Sequence, residues 1–283
     1  MIELLQITNN AELARICDRV EGVRIFVDLE QNGKAERQKG HDTFISTHSL
    51  EDVSRIKALL RHARLMVRVN PYQSANPAAS QAEVDAVLAR GADMLMLPMF
   101  SSAQELKAFA AIVAGRVPIV PLLETAGALQ TLDSWLDTPG IAEVFVGLND
   151  LHLSLGCRFM FEPLLLGHID RVATATKARG LRFGFGGIAR MDEGILPGHD
   201  VLAEHVRLGS SAVILSRTFN RTDMDTGKPS FEGAVAALRQ AERQLQLRTL
   251  QGTEDDRLRT AARIAALALQ VEKAEKAQAE AEA

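Results

Sequence analysis

Met94-Leu95-Met96-Leu97-Pro98 runs into the helix-forming stretch Ala103–Val113, and that stretch leads to Ile119-Val120-Pro121-Leu122-Leu123. A short apolar run, an amphipathic segment and a second short apolar run make one βαβ unit, whose two strands lie parallel. The same alternation extends in both directions. Upstream it predicts strands at Glu3–Ile7, Val23–Leu29 and Leu65–Asn70; downstream it predicts them at Glu143–Gly147, Arg182–Phe185 and Ala212–Leu215. Helices are expected between them at Leu50–His62, Ser80–Arg90, Glu162–Arg179 and Asp200–Leu208. With Met94–Pro98 and Ile119–Leu123, the strands number eight, and the chain reads as an α/β protein of the (β/α)8 TIM-barrel type with extra C-terminal helices. The competing arrangement is an open doubly wound sheet. It lacks its phosphate fingerprint: the first strand is followed by Thr8-Asn9-Asn10, with no G-x-G-x-x-G.

The length of 283 residues accommodates one barrel of roughly 250 residues and an appendage. The barrel is assigned to residues 1–250 and a helical tail to residues 251–283, rich in Ala, Glu and Lys. In the tail, Ile264, Leu267 and Val271 fall at i, i+3 and i+7 and form one stripe, either the buried side of a surface helix or a face for a second copy in a homo-oligomer. Hydrophobic residues make up 47% and charged residues 24%, and 32 basic against 36 acidic side chains leave a net charge of −4. That balance argues against a general nucleic-acid binder. No apolar run approaches the roughly 18 residues of a membrane span, and Met1-Ile2-Glu3 lacks the basic start of a secretory signal. Cys17 and Cys157 are far apart and form no CxxC, which excludes a disulfide scaffold or zinc ribbon and fits a cytoplasmic setting.

Barrel enzymes carry their reactive groups where the strands end at the C-terminal face. The second strand ends Asp28-Leu29-Glu30, the third Arg68-Val69-Asn70, the fifth Leu123-Glu124-Thr125, and the sixth Val146-Gly147-Leu148-Asn149-Asp150. Glu124 and Asp150 close adjacent strands. Two carboxylates that close repel unless one is protonated or a cation lies between them, and oxygen-only ligands suit Mg²⁺ or Mn²⁺. The plain alternative is that both acids cap the helices they precede. Arg68 can hold a substrate carboxylate or carbonyl by its planar fork, or it can pair with Glu30 or Glu124. His48 and His152 lie near the expected mouth and are candidate general bases. His62, His168 and His205 fall on helices and read as packing or surface residues. The glycines of Gly184–Gly187 and the segment Leu208-Gly209-Ser210-Ser211 are placed like the phosphate region of many barrels, or they relieve crowding. Ser216 has no G-x-S-x-G context. No lysine closes a predicted strand, which argues against Schiff-base chemistry.

These strand ends resemble the HpcH/HpaI aldolase and citrate lyase β family of the phosphoenolpyruvate/pyruvate-binding barrels. The segments that carry the resemblance are Phe26-Val27-Asp28-Leu29-Glu30, Val67-Arg68-Val69-Asn70, Gly91–Met99, Pro121-Leu122-Leu123-Glu124-Thr125 and Val146–Gly156. The resemblance implies a lyase that cleaves a carbon–carbon bond next to a 2-oxoacid through a pyruvate-type enolate. It implies that Glu124 and Asp150 hold Mg²⁺ or Mn²⁺, that Arg68 binds the enolate, and that backbone N–H groups near Asn149 and Asp150 hold the substrate carboxylate. It also implies C-terminal helices packed on a neighbouring subunit. Aldolases of this family carry Gly-Glu-His after the second strand, and here Leu29-Glu30-Gln31 puts glutamine in place of that histidine. Asp28-Leu29-Glu30 with Lys34 and Arg37 is similar to the citrate lyase β pattern, with Gln31 in place of its last acid, so the sequence is intermediate between the two branches. Glu30, His48 or a metal-bound water is then the candidate base, and the substrate is a free 2-oxoacid or an acyl thioester. A citrate-lyase-like or malyl-CoA-type lyase or synthase, and a non-catalytic barrel that has lost its base, are the rival readings.

Overall fold

The computed structural model describes residues 1–32, 47–220 and 230–282. Eight parallel strands close into a barrel in chain order: β1 (Glu3–Ile7), β2 (Val23–Asp28), β3 (Leu65–Arg68), β4 (Met94–Leu97), β5 (Ile119–Leu123), β6 (Glu143–Val146), β7 (Arg182–Ile188) and β8 (Ala212–Leu215), with β8 pairing back onto β1. Described helices are α1 (Ala11–Asp18), α2 (Leu50–Lys57), α3 (Pro77–Ala89), α4 (Ala103–Val113), α5 (Ala126–Gln130), α6 (Leu132–Trp135), α7 (Leu148–Ser154), α8 (Glu162–Leu165), α9 (His168–Ala178), α10 (Gly198–Leu208), α11 (Phe231–Gln246) and α12 (Leu250–Glu282). None of the described helices is long and apolar enough to cross a membrane.

The pleat of the strands explains where the polar groups go. Side chains alternate between the barrel interior and the outer layer under the helices. Leu5, Phe26, Met66, Leu122 and Phe145 fill the interior, while Leu4, Ile25, Val27, Val67 and Val144 pack outward against the helices. Two residues before an interior position lies the closed end of the barrel. There Arg24 places both amino nitrogens 3.0 Å from the Glu143 carboxylate and pairs with Glu3, and all three charges are buried or nearly so. Two residues after an interior position lies the mouth, so Asp28, Arg68, Glu124 and Gly147 face it together. Ionic groups at the closed end serve the fold, and the mouth is where barrel enzymes place their chemistry.

Three sequence expectations change in detail. The Glu162–Arg179 helix is broken into α8 and α9 at Gly167, which takes φ +74. The third helix starts at Pro77 rather than Ser80, because Asn76 caps it by accepting from the Ala79 N–H. The segment Leu208–Ser211 precedes β8 and therefore lies at the closed end, where both serine hydroxyls bond the Phe183 carbonyl; it is no phosphate site at the mouth. In the tail, Ile264 is buried and Leu267 packs beside it on the chain's own core, where α12 crosses α8 and α10. Two of the stripe's three residues are thus used within the chain, which weakens the case for a partner on that face. Lys34, Arg37 and most of the polar segment Gln31–Gly40 lie outside the described residues.

Candidate active site

Asp28 and Arg68 are register partners across β2 and β3. Their side chains meet in a two-pronged pair: Arg68 Nε donates to Asp28 Oδ1 at 2.8 Å and Nη2 to Oδ2 at 2.8 Å. The pair takes the side edge of the guanidinium and leaves its end, Nη1 and Nη2, pointing onward. Glu30 stands 3.4 Å from Nη1, and the guanidinium carbon lies 5.6 Å from the centre of the Phe26 ring. Burial by itself would lower the Arg68 pKa, but Asp28, Glu30 and Glu124 hold it above the ordinary range. The expected ion-pair partners were Glu30 and Glu124; the dominant one is Asp28. Its signal in the sequence is an acid at an inward position, two residues after the interior Phe26, where β2 reaches the mouth.

Glu124 does not cap a helix. Thr125 does, accepting from the Ala128 N–H at 3.0 Å. Glu124 is 2% exposed, and its Oε1 accepts from the backbone N–H of Met99 at 3.0 Å. Met99 achieves this at φ +57, a left-handed conformation that is strained for a side chain of its kind. Burial above all, with Asp150 and Glu30 adding to it, pushes the Glu124 carboxyl up to about 8 against the opposing pull of Arg68 and the Met99 N–H. Asp150 sits in the first turn of α7, whose N-cap is Gly147, and faces the same cavity as Glu124. The carboxylates repel, the donor set is oxygen alone, and a cation between them removes the repulsion. That chemistry fits Mg²⁺ or Mn²⁺, which bind through one or two carboxylates plus water and substrate oxygens. Glu124 and Asp150 are the carboxylates that could hold such an ion; among the described residues no group of three or more His, Cys, Asp or Glu is placed to hold a metal.

Arg68, Glu124, Asn149 and Asp150 line one cavity of about 770 Å³ at the mouth, together with Asp28 and His48. It continues along the end of β1 to Asn9, Asn10 and Leu13 of α1, and past Gly186 to Ser216 and Arg217. Glu30 does not line it; with 1% exposure it backs Arg68 from inside the wall. His48 does reach the cavity, but its Nδ1 accepts the Asp28 N–H at 3.0 Å. An imidazole accepting through Nδ1 carries its proton on Nε2 and is not a base there. His152 is buried beneath α7, with Nδ1 3.1 Å from the Leu148 carbonyl, and does not line the cavity. Gly186 lines it at φ +54, where a Cβ would meet Leu148 at 2.8 Å, so this glycine answers to crowding. Cys17 is buried, which pushes its thiol up to about 12 and leaves it inert.

Residues 4–190 match the family model described as HpcH/HpaI aldolase/citrate lyase. No curated protein matches the chain. Among solved structures it is similar to an HpcH/HpaI aldolase/citrate lyase family protein from Burkholderia cenocepacia J2315, with TM-score 0.58, 16% identity, and 87% of this chain and 94% of that chain covered. An HpcH/HpaI aldolase from Desulfitobacterium hafniense DCB-2 also matches at TM-score 0.58, with 17% identity and 81% and 95% coverage. A citrate lyase beta subunit from M. tuberculosis, complexed with oxaloacetate and magnesium, matches at TM-score 0.55, with 16% identity and 86% and 97% coverage. At such identities these likenesses speak for the fold.

Proposed function

The chain belongs to the HpcH/HpaI aldolase/citrate lyase family, and on that premise we propose that it is a divalent-metal-dependent carbon–carbon lyase acting on a 2-oxoacid through a pyruvate-type enolate. The observation that carries this reading is the meeting of the Arg68 fork with the Glu124–Asp150 carboxylate pair in one cavity. A 2-oxoacid presents two oxygens to a metal and develops negative charge on one of them as the bond to its neighbour breaks. A divalent cation held by Glu124 and Asp150 would supply Lewis-acid stabilisation of that charge. Arg68 offers the end of its guanidinium to the same oxygen, and Asp28 keeps it aimed. One such preorganised donor is typically worth about 3–4 kcal/mol in the transition state. The N–H groups of Asn149 and Asp150, in the first turn of α7, are assigned to the substrate carboxylate.

On this reading the two candidate bases serve Arg68 instead. Glu30 backs Arg68 and supports its charge. His48 holds the Asp28 backbone, and with it the Asp28–Arg68 pair. The extension of the cavity along Asn9, Asn10 and Leu13 favours one further reading, in which the second fragment is large, as in an acyl thioester. The M. tuberculosis relative was complexed with oxaloacetate and magnesium, and that pairing is a reasonable first ligand set for this chain.

Exchange of the pyruvate methyl protons with solvent deuterium, followed by NMR with Mg²⁺, with Mn²⁺ and with a strong chelator, tests the proposal. Exchange needs the enolate but not the second fragment. Metal-dependent exchange that Glu124→Gln or Asp150→Asn abolishes is the expected result. Undiminished exchange in chelator would overturn the metal; absence of exchange under every metal would overturn the enolate.

A further inference from the structure

Two residues after Arg68, the chain places a side chain that the reaction does not touch. Asn70 Nδ2 donates to Glu83 Oε1 at 2.8 Å, and the Asn70 backbone N–H donates to the same oxygen at 3.0 Å. Glu83 lies in the second turn of α3, the crossover helix between β3 and β4. Because its amino group is held by a carboxylate, the Asn70 amide has one orientation, with Oδ1 facing the other way. That oxygen accepts two N–H groups, from Gln31 and from Asn32, each at 3.0 Å. These are the two residues immediately after Glu30. Upstream, the Glu30 N–H donates to Asp28 Oδ1 at 3.2 Å, and the Leu29 N–H donates to the Arg68 carbonyl at 2.9 Å.

The chain around Glu30 is therefore tied on both sides. Asp28 and β3 hold it from below, and Asn70 clamps it from above, past the last residue of β2. Between the ties, Glu30 reaches Nη1 of Arg68. The unit works as a relay of fixed contacts: α3 fixes Glu83, Glu83 orients Asn70, Asn70 holds the backbone of Gln31 and Asn32, and that backbone presents Glu30. We propose that Asn70, oriented by Glu83, is a positioning residue of this site: it fixes the backbone after Glu30 so that Glu30 and Asp28 hold the Arg68 guanidinium between them. This role rests on the lyase reading above, because Arg68 is the group it serves.

The hydrogen-bond polarity of the relay gives it a distinctive test. Asn70→Ala removes the clamp. Asn70→Asp keeps an acceptor for Gln31 and Asn32 but sets a carboxylate against Glu83. Adding Glu83→Gln to Asn70→Asp removes the clash of two carboxylates and lets the Gln amide donate to the new one, but the single Glu83 oxygen that accepts both the Asn70 side chain and its backbone N–H is replaced by a group that can serve only one of them, so the repair is partial. Outer partners that orient a site's groups typically contribute about 10–100-fold in activity. The expected kcat for pyruvate proton exchange, with the full chain and saturating Mn²⁺, falls by about 10–100-fold in Asn70→Ala and in Asn70→Asp. KM moves less than kcat, and the double variant recovers part of the loss seen in Asn70→Asp. Deuterium exchange at the Gln31 and Asn32 amides, read by NMR without any turnover, rises in Asn70→Ala and returns towards wild type in the double variant. A wild-type kcat in Asn70→Ala overturns the positioning role. A double variant no better than Asn70→Asp overturns the relay. If the wild-type chain itself catalyses no exchange, the lyase reading fails, and unchanged amide exchange in Asn70→Ala would then separately overturn the clamp.

Discussion

Glu124 lies against Gly147: a Cβ built on that glycine would come within 2.7 Å of Glu124 Oε2 and 3.0 Å of its Cβ. Gly147 follows Phe145 by two residues and faces the mouth from β6, the strand paired with the one that carries Glu124. The far oxygen of Glu124 is tied to the Met99 N–H, so the side chain cannot swing aside without losing that bond. Glycine here is a requirement of the carboxylate beside it, and its φ of −84 asks nothing of the backbone. Gly147→Ala should weaken binding of Mn²⁺ by about 10–100-fold, measured by calorimetry, while the far-ultraviolet circular dichroism stays that of the parent. Unchanged Mn²⁺ affinity would show that Oε2 is not where the ion sits.

Arg68→Lys keeps one positive charge and loses the fork. A lysine cannot satisfy both oxygens of Asp28 and still offer two donors onward. The rate of pyruvate proton exchange should drop by about 10²–10³-fold, the usual cost of one preorganised donor. Asp28→Asn should cost less, since it leaves the guanidinium in place but loosens its aim. Exchange by Arg68→Lys within a few-fold of wild type would remove Arg68 from the enolate.

His48→Asn and His48→Ala separate two roles. An asparagine Oδ1 can take the place of the imidazole Nδ1 as acceptor for the Asp28 N–H, whereas alanine leaves that buried donor unpaired, a loss of about 1–3 kcal/mol. The expected order of exchange rates is wild type close to His48→Asn, and His48→Ala well below both. A general base would instead be lost equally in both variants, together with the limb of the pH–rate profile near neutrality.

His205 makes stability depend on pH. It is fully buried on α10, with its ring stacked on Phe185 at 3.8 Å between centroids and Nδ1 2.8 Å from Ser210 Oγ. Burial lowers its pKa from 6.5 to about 3. Between these values the unfolded chain binds a proton that the folded chain refuses. Its contribution to stability is therefore complete above pH 6.5 and is lost as the pH falls towards 3, by at most about 1.4 kcal/mol per pH unit. Urea titrations at pH 7, 6, 5 and 4 should show a steeper decline for wild type than for His205→Phe, which keeps a ring but cannot take the proton. Parallel declines would mean that other groups govern acid unfolding.

Much of the barrel was legible because it is written locally. Val23–Asp28, Ile119–Leu123 and Ala212–Leu215 are short apolar runs bounded by breakers, and a parallel strand buried on both faces needs little else. Strand ends were less legible. Leu29, Asn70, Pro98 and Gly147 prolong the apolar or extended pattern, but the ladders stop at Asp28, Arg68, Leu97 and Val146, where the chain turns to build the mouth. The break at Gly167 was missed because periodicity continues across a single glycine.

For the site, the sequence by itself settled which residues stand at strand ends, and so named Arg68, Glu124, Asn149 and Asp150, all of which line the cavity. Side-chain parity and strand order are properties of the chain alone, and a closed barrel converts both into position. What each group touches was decided only by the tertiary structure. Asp28 rather than Glu30 takes the Arg68 fork because β2 and β3 pair with those two residues in register. His48 is held as an acceptor by a backbone N–H twenty residues away, Glu30 is turned behind the wall, and two of the three residues of the tail's stripe are spent on the chain's own core. Each of these is a contact between segments distant in sequence. It depends on strand register and helix packing, which follow from the balance of the whole core and not from the local order of residues.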